Sequence, residues 1–569
     1  MTTSNFRNAN TAYVLASNSR QKKPVYFVTF GLVTGPLGTN SQVLPDNYST
    51  GPINNPTRTY KRYMTNPTSF QNQINPITSE TSISSMNFSI MDIGGDATRI
   101  STNYIMKNRL VTIYAGYEGF TEDQFTQIYT GQINNWVKSQ DATMITFTVV
   151  DPLKQLKSTI LSGHTQLSAD YDPKKSGGVI YVTDTSNLAN ATDLYDGQGV
   201  RNYLRINDTL YSYSGINGHA INGLQQITLN SNGAPDQVQQ NGSSVDNYVL
   251  YQGNPVTLML QIALSTGTGL NYSGTGTNYD VLPTSQGIGI PYSLVNISNF
   301  EAQRDLYVSD FYFSNYFSEQ TEALKFFQEH ILRQASCYLF VNRAGQLDIK
   351  AYYAPQGTLN AITIDDSNII GNPIFDANLQ TGNDFYNDID VTYDYQPVQD
   401  LFVNEIITEN LTSQQEFEED TTLKIPAKMV KTGFGAEKMI SRMTEIFLSR
   451  FMTPPPIITL RTFYTNHLLN PGDIVYLNSS VVPNYRTGKN GGPAVLCECI
   501  STGTDFSSGI VSVILLGIGF SNQGRFAGIA PDTTPTYSSA TDDQKLVDVF
   551  ISDDNGVMPD MTPAYAITP

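Results

Sequence analysis

Between residues 107 and 151 the chain alternates apolar-aromatic runs with short polar turns. The runs fall at 110–114, 125–133 and 144–150. In the last of them Ile145, Phe147 and Val149 point one way, and Thr146 and Thr148 point the other. A period of two predicts antiparallel strands with one buried face. Similar patterns predict strands at 24–32 and 84–91. Between these lies a polar stretch, 34–76, rich in Asn, Pro, Thr and Gly. It is too long for a hairpin loop and reads either as a functional extension or as a mobile segment. Residues 1–157 form a first β domain on this reading.

Residues 158–255 read as a small inserted β domain. Strand patterns at 178–182, 203–206, 209–213 and 225–229 are separated by Asn217-Gly218 and Asn222-Gly223, which are hairpin signals. The pattern turns mixed over 256–380. A helix is expected at 256–264. A second is expected near 319–334, with Ser318 as its cap and Glu319 and Glu322 near the positive end of its dipole. Runs at 337–340 and 347–352 flank Asn342-Arg343-Ala344-Gly345 as a hairpin. Residues 381–522 read as a second β domain, with strands at 387–395, 457–463, 474–477, 494–500 and 510–518. A helix is expected near 436–451, ended by Pro454-Pro455-Pro456. The last segment, 523–569, has few apolar clusters and reads as an extended arm that a partner orders.

Composition supports strands throughout. The 569 residues include 34 Tyr, 27 Phe, 43 Gly and 28 Pro, and only 15% are charged. Such a length suits about three to five domains. A formal charge of −18 argues against binding nucleic acid by phosphate neutralisation. The acids are concentrated: between residues 351 and 423 only Lys350 and Lys424 flank a stretch with no Lys or Arg inside it. On the strand at 387–395, Asp388 and Asp390 share one face and Ile389 and Val391 the other. The three cysteines, Cys337, Cys497 and Cys499, cannot all pair, and the four histidines are scattered, which leaves the C-x-C pair short of metal ligands. The first ten residues lack the apolar core of a signal peptide, and no apolar run reaches the length of a membrane span. Synthesis in a reducing cytoplasm without a membrane anchor is the expectation.

Candidate chemistry is thin. The carboxylate pairs Asp365-Asp366 and Asp388/Asp390 and the run Glu418-Glu419-Asp420 have the residue types of a glycosidase, but the single tryptophan, Trp136, lies far from them in sequence. No G-x-S-x-G motif occurs, and the glycine-rich run at 265–277 has no Lys, so it reads as a linker and not a phosphate loop. No catalytic residue, cofactor or metal site is expected.

Several words occur in a fixed order: NRLVTIYAGYEG, IYTGQINNW and ITFTVVDPLKQL within 108–156; YLRINDTLYSYSGINGHAINGL at 203–224; GIGIPYSLV at 287–295; YLFVNRAGQLDI at 338–349; NDIDVTYDY at 387–395; LLNPGDIVYL at 468–477; and FISDDNG with PAYAI within 550–567. In this order the chain resembles the tail hub, or baseplate hub, proteins of tailed bacteriophages and gene-transfer agents. The resemblance implies a mainly β chain with some α+β: two tail-tube-like β-barrels, a small inserted β domain and an extended C-terminal arm. It implies a homotrimer with pseudo-sixfold symmetry at the virion tail tip, assembled in the bacterial cytoplasm. Its partners would be a tail tube or distal tail protein, a tip or spike protein and a tape measure protein. DNA would pass through without specific binding. Pro471-Gly472-Asp473 would open a strand of the second barrel. Asp365, Asp366, Asp388, Asp390 and Asp394 would repel DNA in the lumen, or else belong to solvated outer loops. Phe550, Ile551, Tyr565 and Ile567 would belong to a partner-binding arm. A host-binding adhesin or polysaccharide depolymerase is the alternative from another class, and an outer baseplate scaffold is a third.

Overall fold

The period-two pattern becomes a curled sheet. In chain order its strands are β1 (Pro24–Phe30), β2 (Asn47–Ser49), β3 (Tyr60–Lys61), β5 (Ser85–Met91), β6 (Leu110–Tyr117), β7 (Thr126–Lys138) and β8 (Met144–Val150); β4 (Phe70–Gln73) leaves to join another sheet. The order is β3-β2-β1-β6-β7-β8-β5. This computed structural model describes Ala16 and residues 23–31, 47–188, 202–227, 238–351, 362–376, 385–518, 526–529, 551–552 and 566–568. Within those stretches 56, 162, 187, 208, 268, 273–275, 283–285, 343, 398, 485–488, 492–494 and 507 are not described. Phe550 and Tyr565 lie outside the described residues.

The inward face of this first sheet is aromatic. Phe88 and Phe147 stack at 5.3 Å between ring centres, with Phe30 5.8 Å from Phe147, while Phe27 and Tyr114 stack at 4.6 Å on the opposite face. Part of the 34–76 stretch has a structural use. The Met64 amide donates to the Ser49 carbonyl (3.1 Å), and the Thr65 and Thr68 amides donate to the carbonyls of Ser89 and Asn87 (2.9 and 2.8 Å). Residues 63–68 thus run between the β2 side of the sheet and β5. Its polar residues satisfy strand edges, while Tyr48 and Met64 enter the core of this half-barrel and Ile74 the largest core.

The inserted unit has its own core, with Leu204, Ile206, Tyr211, Tyr213 and Val245 inside. Its main sheet places Ser244–Gly253 between His164–Gln166 and Asn202–Ile206. The far half of that long strand pairs with Phe313–Phe317, so the unit continues into the mixed region. There the Pro255–Leu264 helix is capped by Asn254, whose side chain accepts from the Val256 amide at 3.0 Å. The helix is buried on nearly every side, so it forms the centre of the largest core.

The second helix differs from the expectation. Ser318 does not cap it. Thr321–Glu322 first pair as a short strand with Thr159–Ile160, and the α-helix covers only Ala323–Phe327. A π-helical turn, Gln328–Leu332, completes it. Residues 321–322 are thereby withheld from the helix, which begins one turn later than its polar flank suggests.

The second β region contains β9 (Ile362–Asp365), β10 (Ile374–Asp376), β11 (Asp388–Gln396), β12 (Leu401–Glu409), β13 (Thr422–Pro426), β14 (Ile457–Phe463), β15 (Ile474–Asn478), β16 (Val495–Asp505) and β17 (Ile510–Gly517). Its sheet runs β9-β15-β16-β17-β14-β10, with β4 added on β16. Strands β12-β11-β13 make a separate three-stranded sheet, which packs with the Ala436–Phe451 helix into the largest core.

One strand order occurs twice. Four strands (β5 to β8, and β14 to β17, the latter set interrupted by the short pair Pro483–Asn484 and Lys489–Asn490) lie in the order second-third-fourth-first in both sheets. Each third strand carries an extra residue against the fourth. The shift falls between Ile133 and Asn135 in β7, and between Cys499 and Ser501 in β16. Such bulges bend a strand and raise its twist. A crossing segment spans the second sheet too: β9 pairs with β15, while the Ile370 amide donates to the Arg461 carbonyl of β14 (2.7 Å). The chain therefore holds two curled half-barrel sheets of like topology in a mainly β fold.

Candidate functional site

The two half-barrels meet along a seam. Strand β4 pairs antiparallel with the far half of β16, with Phe70 opposite Thr504 and Gln73 opposite Ser501. The Ile74 amide donates to the carbonyl of the bulge residue Ile500 at 2.9 Å. From the turn after β16, Phe506 inserts into the aromatic core of the first half-barrel. Its ring lies 5.5 Å from Tyr26 and 5.9 Å from Phe70, and its carbonyl accepts from the Tyr26 hydroxyl at 3.3 Å. A groove of about 650 Å³ follows the seam, lined mainly by Ser and Gln side chains with Phe70, Ile83, Ile510 and Ile514 among them, and with Arg461 and Asp505 as its charges.

Two further contacts hold the second half-barrel to the mixed region. Within Cys497-Glu498-Cys499 the cysteines enter the aliphatic core, while the buried Glu498 carboxylate pairs with Arg450 of the long helix. The Arg450 guanidinium also donates to the Tyr338 hydroxyl at 3.1 Å. Gly472 has φ 81°, which suits a glycine in the turn before β15. Beside it Asp473 accepts from the Asn470 amide (2.9 Å) and from Lys350 Nζ (2.9 Å).

The candidate acids fall into two groups on different sheets. Asp365 ends β9, Asp366 follows it, and both line an open cleft of about 380 Å³. Asp365 accepts from the Ser367 hydroxyl (2.5 Å) and amide (2.9 Å). Asp366 accepts from the Ser479 hydroxyl (2.6 Å) and the Ser480 amide (3.0 Å). Bonds from these hydroxyls, first of all, hold both carboxyls below the ordinary carboxylate range. Both carboxylates are fastened to turns.

Asp388 and Asp390 lie on one face of β11 and the buried Ile389 and Val391 on the other, as the alternation predicts. Asp388 accepts from the Thr422 hydroxyl at 2.7 Å, and Asp390 lies 4.0 Å from Lys424 Nζ. Glu405 of β12 meets Asp390, and that contact raises the Glu405 pKa. These groups, with Glu409, form an acidic outer face on the three-stranded sheet. Asp394 lies further along β11. It has φ 58° and accepts from the Thr432 amide (3.0 Å) and the Asn404 side chain (2.6 Å), fixing a neighbouring loop.

Ile551 and Ile567 of the candidate arm fall in Ile551–Ser552 and Ala566–Thr568, short strands that each run parallel to Phe526–Ile529. Among the described residues, no helix is long and apolar enough to cross a membrane.

The seam was missed in the sequence reading. Two signals point to it: an isolated Phe506 within a run of small polar residues, and a glutamate between two core-facing cysteines.

No protein family profile matches the chain. No curated protein matches it either. Among solved structures the chain is similar to the 43 kDa tail protein of prophage MuSo2 from Shewanella oneidensis, at 10% identity and a TM-score of 0.35, over 87% of this chain and 98% of that one. It is similar to the tail protein from Neisseria meningitidis MC58, at 9% identity and a TM-score of 0.35, over 87% and 97%. It is also similar to prophage tail protein gp18 from Listeria monocytogenes EGD-e, at 6% identity and a TM-score of 0.34, over 88% and 96%.

Proposed function

We propose that this protein is a structural hub of a phage-type tail. Three copies form a ring, and the two half-barrels of each copy supply six similar units around the tail axis. The repeated strand order, with its bulge in the same strand, carries this reading. A doubled unit lets a threefold ring face a sixfold tube or distal tail protein on one side and a threefold tip or spike on the other. A tape measure protein would contact the ring from within. Assembly takes place in the host cytoplasm, and the ring works at the tail tip of the virion.

The chain acts as a conduit and joint in this role, without catalysis. Its net charge of −18 disfavours adhesion of DNA phosphates. Glu405 and Glu409, exposed on the sheet face that they share with the half-buried Asp388 and Asp390, are the acids best placed for a channel wall. Asp365, Asp366 and Asp394 serve turns first and add charge second. The C-terminal segment is the arm toward the tip.

Negative-stain imaging and light scattering of the purified full chain test the reading. A three-copy ring with an axial hole wide enough for a DNA duplex is the expected result. A monomer at tens of micromolar, or a particle with no axial hole, overturns it.

A further inference from the structure

The third strands of the two half-barrels part company beyond their bulges. In β16 the residues Ser501, Thr502 and Thr504 are buried, because β4 lies along that edge. In β7 the four residues Asn135, Trp136, Val137 and Lys138 are all exposed, Trp136 at 39% and Val137 at 59%. The β6 register stops at Gln132. One further exchange follows, from the Asn108 amide to the Ile133 carbonyl and from the Ile133 amide to the Arg109 carbonyl. Past that point β8 is the strand neighbour of β7 among the described residues. The Ser139 amide donates to the Met144 carbonyl (2.9 Å). Antiparallel alternation then turns the N–H and C=O groups of Trp136 and Lys138 away from β8, toward the bare side. An edge of this kind is a template for another strand.

The topology points to the donor. Strand β4 lies in the connection between the crossing segment of its half-barrel and the first of the four repeated strands. The corresponding connection in the second half-barrel runs from β10 to β14 and contains β12. Strand β12 stands at the edge of its sheet, with β11 as its neighbour among the described residues. It is nine residues long and exposes Leu401, Val403 and Ile407, the last two at 56% and 55%. Glu405 and Glu409 lie on the same outward face. Two cations stand where the bare stretch of β7 begins: Lys154 donates to the Asn134 side chain, and Lys107 is exposed next to Asn108.

We propose that β12 of a second copy of this chain adds to the bare edge of β7, as β4 adds to β16 within one chain. Each copy then presents a donor edge at one end and an acceptor edge at the other, an interface that can close into a ring. The inference rests on the ring reading above, and names the surface through which the ring would close.

Cysteine pairing tests it. Val137→Cys is combined in turn with Leu401→Cys, Val403→Cys and Ile407→Cys, and the full-length chains are oxidised. Cys337, Cys497 and Cys499 are buried and do not compete. At least one combination is expected to give covalent species of up to three copies, with Val137→Cys alone giving none. Lys138→Pro removes an outward N–H and weakens self-association tenfold or more by sedimentation. Lys138→Ala keeps that N–H and associates as the parent does. A parent that forms trimers while none of the three pairs cross-links overturns the β7–β12 contact and leaves the ring. A parent that stays monomeric overturns both. If Lys138→Pro fails to fold, the cross-linking decides.

Discussion

The two half-barrels reach one strand order with different interiors. The first is aromatic, built around Tyr26, Phe30, Phe88 and Phe147. The second is aliphatic, built around Ile458, Leu460, Val475, Val511, Val513 and Leu515 with Cys497 and Cys499. The shared features are the alternation of inward and outward positions, the bulge in the third strand and the crossing segment. Residue identity inside the core is free within limits of volume, whereas pattern and turn positions are not. The interiors also differ in independence, since the first half-barrel includes Phe506 from the second in its core.

That dependence is the easiest part of the comparison to break. Phe506→Ala leaves a cavity between Tyr26 and Phe70 and is expected to cost about 3–5 kcal/mol. The loss should appear in both half-barrels, as faster amide exchange in β1 and β4 as well as in β16. Exchange confined to β16 would mean that the first core stands without its plug. A smaller effect sharpens the contrast in side-chain size. Leu515→Phe places an aromatic ring in the aliphatic interior, and overpacking there costs about 1–3 kcal/mol. Urea unfolding midpoints read that change, and an unaltered midpoint would show slack in the second core.

The smallest expected effect is a pH dependence tied to the first half-barrel. Asp151 follows β8 and accepts from the Ser84 amide (2.6 Å) and hydroxyl (2.7 Å) and from the Leu153 amide (3.1 Å). Burial nevertheless outweighs these bonds and raises its pKa to about 6. Between about pH 4 and 6 the folded chain holds a proton that the unfolded chain has released. This group's contribution to stability therefore falls as pH rises through that window. Asp151→Asn should flatten the slope between pH 4 and 6. An unchanged slope would show that Asp151 titrates as an exposed aspartate does.

Much of the fold was legible because alternation is a local property. The strands at 110–150 and 457–518 follow from single-residue periodicity, and so does the shared face of Asp388 and Asp390. The Pro255–Leu264 helix was readable from its apolar run and Pro255. The misjudged Ser318 cap shows the opposite case. Whether residues 321–322 join a helix or a strand depends on Thr159–Ile160, some 160 positions earlier in the chain. The partners of the 34–76 stretch were hidden for a similar reason. Its polar residues carry edge hydrogen bonds to partners that local patterning does not name. The role of Asp394 was hidden too, because a left-handed backbone and a distant Thr432 decide it.

The seam also sets a schedule for folding. The Tyr26 hydroxyl and the Phe506 carbonyl are 480 residues apart in sequence. At the usual pace of synthesis, Phe506 leaves the ribosome on the order of a minute after β4. Until then the first core lacks its last aromatic ring and β4 has no strand to join. A nascent chain must keep both waiting, shielded by its own collapse or by a chaperone. A fragment truncated before β16 would leave the ribosome with β4 exposed and prone to aggregate.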